Sequence, residues 1–167
     1  MKKVLFILIA VLFCSINVNG QSVVAIGTAV TQCNDFEFAK KMVSNDGLAY
    51  NSEKSSPNRA YFSNPNAKYT SDVLIVEIYK MKNSSEVEKC VVTFADGTYY
   101  RNLSKDLSSL GYRYENAKAQ GLSIEPLQEL YSRGEYAMGL NLKKNGWFVA
   151  TFFQYGHDVK FEHLTNK

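Results

Sequence analysis

The sequence predicts an α+β domain in which helices pack on one face of an antiparallel sheet. Two kinds of periodicity predict it: residues 71–82, 87–95 and 147–155 alternate with period two, whereas residues 36–43 and 103–110 carry apolar side chains at helical spacing. Turn chemistry at 83–86 and 144–146 joins neighbouring strands as hairpins.

The elements follow in order. Residues 1–20 read as a secretory leader, because Lys2 and Lys3 precede an unbroken apolar run at 4–13 and polar Asn17-Val18-Asn19-Gly20 leads to Gln21. An apolar run of about ten residues falls short of the roughly 20 that a spanning helix needs. Cleavage after Gly20 places Val18 and Gly20 at the positions that favour small residues, and removing 20 of 167 residues leaves 147. Cys14 offers a rival route through lipidation, but Phe13 stands where lipoprotein signals place a small residue.

Residues 21–30 are small and apolar and read as a first strand or a loose lead-in. A helix is expected from Asn34, with a cap residue followed three places later by Glu37 and with Phe36, Ala39, Met42 and Val43 on one face. Asn45-Asp46-Gly47 ends it. Residues 51–66 form a loop rich in Ser, Asn, Lys and Pro, within which Ala60-Tyr61-Phe62 suits an edge strand.

The strand at 71–82 sets Leu74, Val76 and Ile78 against Val73, Ile75, Glu77 and Tyr79, apolar on both sides until Glu77, as befits a central strand. The chain returns at 87–95 with Cys90, Val92 and Phe94 alternating against Lys89, Val91 and Thr93, and Asp96-Gly97 marks another turn. Leu103, Leu107 and Leu110 make the stripe of a second helix, stopped by Gly111. Tyr112-Arg113-Tyr114 is extended, and a short helix capped by Ser123 runs through Pro126, Leu127, Leu130 and Tyr131 to Gly134. The last hairpin pairs 135–143 with 147–155, and Asn145-Gly146 selects a type I′ turn.

Composition excludes several classes of function. Without Lys2 and Lys3 the 19 basic side chains become 17, against 16 acidic ones, and no Lys/Arg run exceeds two. The footprint for nucleic acid is missing, as is a polybasic membrane patch. Cys33 and Cys90 remain after processing; in an oxidising compartment they form a disulfide, with two separate buried thiols as the alternative. No neighbour of either would lower a thiol pKa.

His157 and His163 are the chain's only histidines. Six positions apart they lie about 20 Å from one another in a strand and on nearly opposite sides of a helix, so neither geometry joins them on one metal. No G-x-S-x-G element, phosphate-cradling loop or C-x-x-C pair occurs. Glu125 and Glu129 are four apart and suit a solvated helix face. Catalytic, cofactor and metal sites are therefore not expected.

Eleven Tyr, ten Phe and one Trp are the unusual part of the composition. Tyr and Trp combine rigid contact area with a polar tip, which suits binding faces. In the final strand Trp147, Val149, Thr151, Phe153 and Tyr155 share one side, and Phe148, Ala150, Phe152 and Gln154 the other. Tyr79, Trp147, Phe153 and Tyr155 are the candidate binding residues.

Residues 38–44 resemble 103–109, and each segment then reaches a glycine and an extended tyrosine, Gly47/Tyr50 and Gly111/Tyr114, offset by about 65 residues. Two helix-plus-hairpin repeats, 34–95 and 102–155, would account for this order. Such an order resembles the tandem helix-plus-antiparallel-sheet design of β-lactamase inhibitor proteins and of small outer-membrane assembly lipoproteins of the SmpA/OmlA type. The resemblance implies a protein-binding module that offers a sheet face or loops to a partner. The expected function is non-enzymatic binding of a protein or envelope component in the periplasm or outside the cell; the alternatives are a small extracellular hydrolase using His157 and a structural subunit of a surface assembly.

Overall fold

The computed structural model describes residues 22–65, 67–95, 98–115, 117–120, 129–143, 145–154 and 160–163. The leader at 1–20, the turn at Asp96-Gly97, and Tyr155 and His157 lie outside the described residues. Three helices, α1 (Val23–Cys33), α2 (Phe36–Asn45) and α3 (Thr98–Ser109), pack against an eight-stranded antiparallel sheet. Its strands are β1 (Ala49–Tyr50), β2 (Arg59–Ser63), β3 (Leu74–Lys80), β4 (Val87–Ala95), β5 (Arg113–Tyr114), β7 (Glu129–Arg133), β8 (Tyr136–Leu142) and β9 (Trp147–Gln154). They lie in the order β1-β2-β3-β4-β9-β8-β7-β5. A separate two-stranded ladder joins β6 (Ala117–Gln120) to β10 (Lys160–His163), and β6 lies against β7. Both edges of the large sheet are two-residue strands, too short to template another chain.

The first helix corrects the expectation of a strand or lead-in at 21–30. Val23, Val24, Ile26, Gly27, Thr28, Val30 and Thr31 are buried, and the partly exposed stripe is Ala25, Ala29, Gln32 and Cys33, in which Gln32 is the one strongly polar residue, so no clear polar face marks a helical period. Local chemistry fixes it instead: Ser22 Oγ accepts the Ala25 N–H at 3.2 Å, and Asn34 closes the helix in the left-handed region at φ 48°. Asp35, not Asn34, then caps α2 by accepting the Phe38 N–H at 2.8 Å.

Helix α1 crosses the seam of the sheet, touching β4 and β9 below and α2 and α3 on its flanks. Gly27 permits this approach, because a Cβ there would overlap the Phe152 ring. The helix's buried hydroxyls are satisfied: Thr31 donates to the Gly27 and Thr28 carbonyls, and Thr28 shares a 2.9 Å hydrogen bond with the Tyr112 hydroxyl.

Three further expectations change. Leu130 and Tyr131 belong to β7, opposite Gly139 and Met138, rather than to a helix, while 123–128 lies outside the described residues. Five residues are too few to display a strand's period against a competing helical pattern. β2 is interior, because β1 covers its outer edge through Ala49 and Tyr50. In the last hairpin φ is positive at Gly146 (81°) and not at Asn145, so the turn is not type I′. The Gly146 N–H bonds the Lys143 carbonyl at 3.1 Å, which places glycine at the last position of the turn.

The main core lies between the helices and the first sheet face. Ala60 and Phe62 of β2, Leu74, Val76 and Ile78 of β3, Cys90, Val92 and Phe94 of β4, and Ala150 and Phe152 of β9 meet Ala39, Val43, Leu103 and Leu107 of the flanking helices. The residues of β3, β4 and β9 in this set are the ones alternation assigned to one side.

Candidate functional site

The second sheet face is where the molecule is asymmetric. Antiparallel register lines up its side chains in rows across the strands. One row runs Arg59, Tyr79, Lys89, Phe153, Ala137, Ser132; the next runs Tyr61, Glu77, Val91, Thr151, Gly139, Leu130; a third runs Ser63, Ile75, Thr93, Val149, Asn141. Trp147 extends the third row's side of β9 and pairs with Ala95.

Each row passes from an open half to a closed one. Across β7, β8 and the far part of β9 most of the face is buried: Leu130, Ala137, Asn141, Thr151 and Phe153 are nearly inaccessible, Phe153 at 1%, whereas Trp147 and Val149 at the near end of β9 belong to the open half. Across β2, β3 and β4, Tyr61, Ile75, Glu77, Tyr79, Lys89, Val91 and Thr93 are only half-buried.

Cations and rings alternate along the open half. Lys54 Nζ stands 4.9 Å over the Tyr61 ring, the Arg59 guanidinium lies 5.9 Å from both Tyr61 and Tyr79, and Lys89 Nζ stands 4.9 Å over Tyr79. Glu77 sits within this row, paired with Arg59 and accepting the Tyr79 hydroxyl at 3.3 Å. Burial pushes the Tyr79 phenol above its ordinary pKa, and the Glu77 carboxylate adds to the shift.

The loop before β2 is tied down. Asn51 accepts the Lys54 N–H and, through its carbonyl, the Ser55 hydroxyl, while Ser55 Oγ accepts the Tyr61 N–H. These bonds fix the backbone from which the Lys54 side chain reaches over Tyr61. Beside the row lies a shallow depression of about 640 Å³ lined by Ile75, Thr93, Val149, Trp147, Lys143 and Asn145.

Of the four expected binding residues, the structure brings Tyr79 and Trp147 to this open half. Phe153 is a correction: its side chain shares the expected face but is packed away in the closed half, between Lys89 and Ala137 in register. Tyr155 lies outside the described residues. Arg59, Tyr61, Lys89 and Lys54 were not singled out in sequence. For Arg59, Tyr61 and Lys89 the signal was the alternation of charged and aromatic side chains on strands whose other side is apolar; Lys54, in the loop before β2, carried no such signal.

The expected disulfide is not formed. Cys33 and Cys90 are free thiols; Cys33 Sγ turns back to donate to the Val30 carbonyl at 3.1 Å, and Cys90 is completely buried in β4. Burial raises both thiol pKa values, which keeps both protonated and poorly nucleophilic. Among the described residues no group of three His, Cys, Asp or Glu side chains could hold a metal ion, and no helix is long and apolar enough to cross a membrane. His157, the centre of the hydrolase alternative, lies outside the described residues.

No family model matches the chain, and no curated protein or solved structure matches it.

Proposed function

We propose that the chain is exported and acts as a non-enzymatic binding protein, taking a protein or cell-envelope component on the open half of its second sheet face. The observation that carries this reading is the contrast within one face. Cations and aromatic rings beside a Trp-lined depression are left partly exposed, whereas Leu130, Ala137, Asn141, Thr151 and Phe153 on the same face are covered a few strands away. Tyr, Trp and Arg are the residue types that carry most binding energy at protein interfaces. The leader-like residues 1–20 support export.

The sheet order supports the reading of 34–95 and 102–155 as two tandem units. Each unit is a helix, a left-handed glycine whose N–H bonds the carbonyl three residues back at 3.1 Å, a two-residue edge strand ending in Tyr, and three further strands of the large sheet. The units meet through β4 and β9, with α1 over the seam.

The test is capture from a native envelope fraction by the immobilised mature chain, compared with a Tyr79→Ala/Trp147→Ala variant. A discrete partner retained by the first and lost by the second, with little change in thermal unfolding, is the expected result. Equal retention by both would remove the open face from the binding function.

A further inference from the structure

We infer that the open half of the second face is built for an acidic protein segment that carries apolar side chains among its carboxylates. The inference rests on the binding reading above and names the chemistry of the partner.

The first argument is charge. Lys54, Arg59 and Lys89 are three cations; among the described residues the carboxylates paired with them are Glu77, on Arg59, and Glu88, 3.9 Å from Lys89. The patch is positive within a body of nearly balanced charge, so its sign is local.

The second argument concerns what the rings are free to do. Flat tyrosines on a sheet can stack on sugars, but here Lys54 and Lys89 already stand over Tyr61 and Tyr79. The groups left to a ligand are the ammonium ends rather than the ring faces. The Lys89 end is ordered in advance by its stand over Tyr79 and its place 3.9 Å from Glu88, with its side chain 15% exposed, whereas at Lys54 the Asn51 hydrogen bond fixes the backbone from which the side chain reaches Tyr61. Ordering before binding lowers the entropic cost of capturing a carboxylate.

The third argument is the neighbouring depression. Ile75, Val149 and Trp147 provide apolar area in the next row of the same face. A uniform polyanion has nothing to place there. A polypeptide with acidic and apolar side chains fills both, giving an apolar anchor with charged contacts at its rim.

Trp147 is the chain's only tryptophan, so its fluorescence reports the depression directly. The mature chain should be titrated with a short peptide alternating Glu and Leu, with its Lys/Leu and Ser/Leu counterparts, and with a sulfated polysaccharide. Expected is a saturable change in Trp147 emission with the Glu/Leu peptide, weakened by added salt and about tenfold weaker in Lys54→Gln/Lys89→Gln. Lys54 is exposed and Lys89 partly buried, neither belongs to the Arg59–Glu77 pair, and circular dichroism checks that the variant is folded. Saturation by the Lys/Leu or Ser/Leu peptide with equal affinity would overturn the acidic assignment while leaving the face a binding site. An equal response to the polysaccharide would overturn the assignment to a polypeptide, and silence from every probe would overturn the inference as a whole. The envelope capture above is scored independently of these outcomes.

Discussion

The two halves of the second sheet face are continuous in register yet differ in what they ask of their residues. Around Phe153 the face is packed: Leu130 and Ala137 are as inaccessible as any side chain under the helices. Around Tyr79 the face is polar and only partly exposed, and its side chains meet one another through ion pairs, hydrogen bonds and ring contacts, with the Arg59 Nε left buried without a hydrogen-bond partner among the described residues. The difference teaches that alternation assigns a side chain to a face without saying whether the face is inside or out. In one half substitutions should be felt as stability; in the other they should be felt as binding.

The largest effect tests the closed half. Phe153→Ala should destabilise by about 3–5 kcal/mol in chemical denaturation, as deletion of a buried ring does. A change near zero would make the two halves alike and return Phe153 to the binding surface. Gly27→Ala gives the helix-covered face as a reference: its new Cβ meets the Phe152 ring, and overpacking of about 1–3 kcal/mol is expected from the same measurement.

Alkaline pH sharpens the comparison by acting on both regions. Tyr79 in the open half and Tyr112 under α1 both have phenol pKa values raised first by burial; for Tyr112 the Thr28 hydrogen bond works in the opposite direction. A raised folded-state value means that the neutral form is favoured by folding. The stabilisation is thus complete below the unfolded-state value of about 10 and is lost as pH climbs through the folded-state values. Phenolate absorbance should lag behind that of free tyrosine and then rise together with loss of circular dichroism. Tyr112→Phe should remove part of that alkaline instability.

Smaller effects belong to the open half. Trp147→Ala should cost less than Phe153→Ala, about 1–2 kcal/mol, since its side chain is partly exposed. The smallest is the Arg59–Glu77 coupling, which a double-mutant cycle with Arg59→Gln and Glu77→Gln should place at about 0.2–1 kcal/mol. A coupling several times larger would show that this pair is structurally closer to the packed half than to a solvent-facing one.

Much of the fold was legible because strand signals are local. The β4 bounds, the sides of β3 and β9 and the helical stripes of Ala39/Val43 and Leu103/Leu107 follow from which neighbours along the chain are apolar. What was not legible lacked a polar stripe or was set by few residues, the partly exposed side of α1 being Ala25, Ala29, Gln32 and Cys33. α1 lacks a polar face, β7 is five residues long, and Cys33 was paired with Cys90 on compartment alone, although its thiol instead bonds its own helix. For the site, Tyr79 and Trp147 stood out as aromatics on the second face, but Arg59, Lys54 and Lys89 gain meaning only when β2, β3 and β4 bring them to neighbouring rings.

By itself the sequence determined an α+β chain of alternating strands and two amphipathic helices, with a leader-like start and nearly balanced charge, because these properties are summed over neighbouring residues. The tertiary structure alone decided that a buried first helix would span the seam, that Phe153 would be covered while Tyr79 was not, and that cations from one loop and two strands would stand over two tyrosines. Burial and charge pairing depend on residues distant along the chain, and distances in space are set only when the sheet has closed its order.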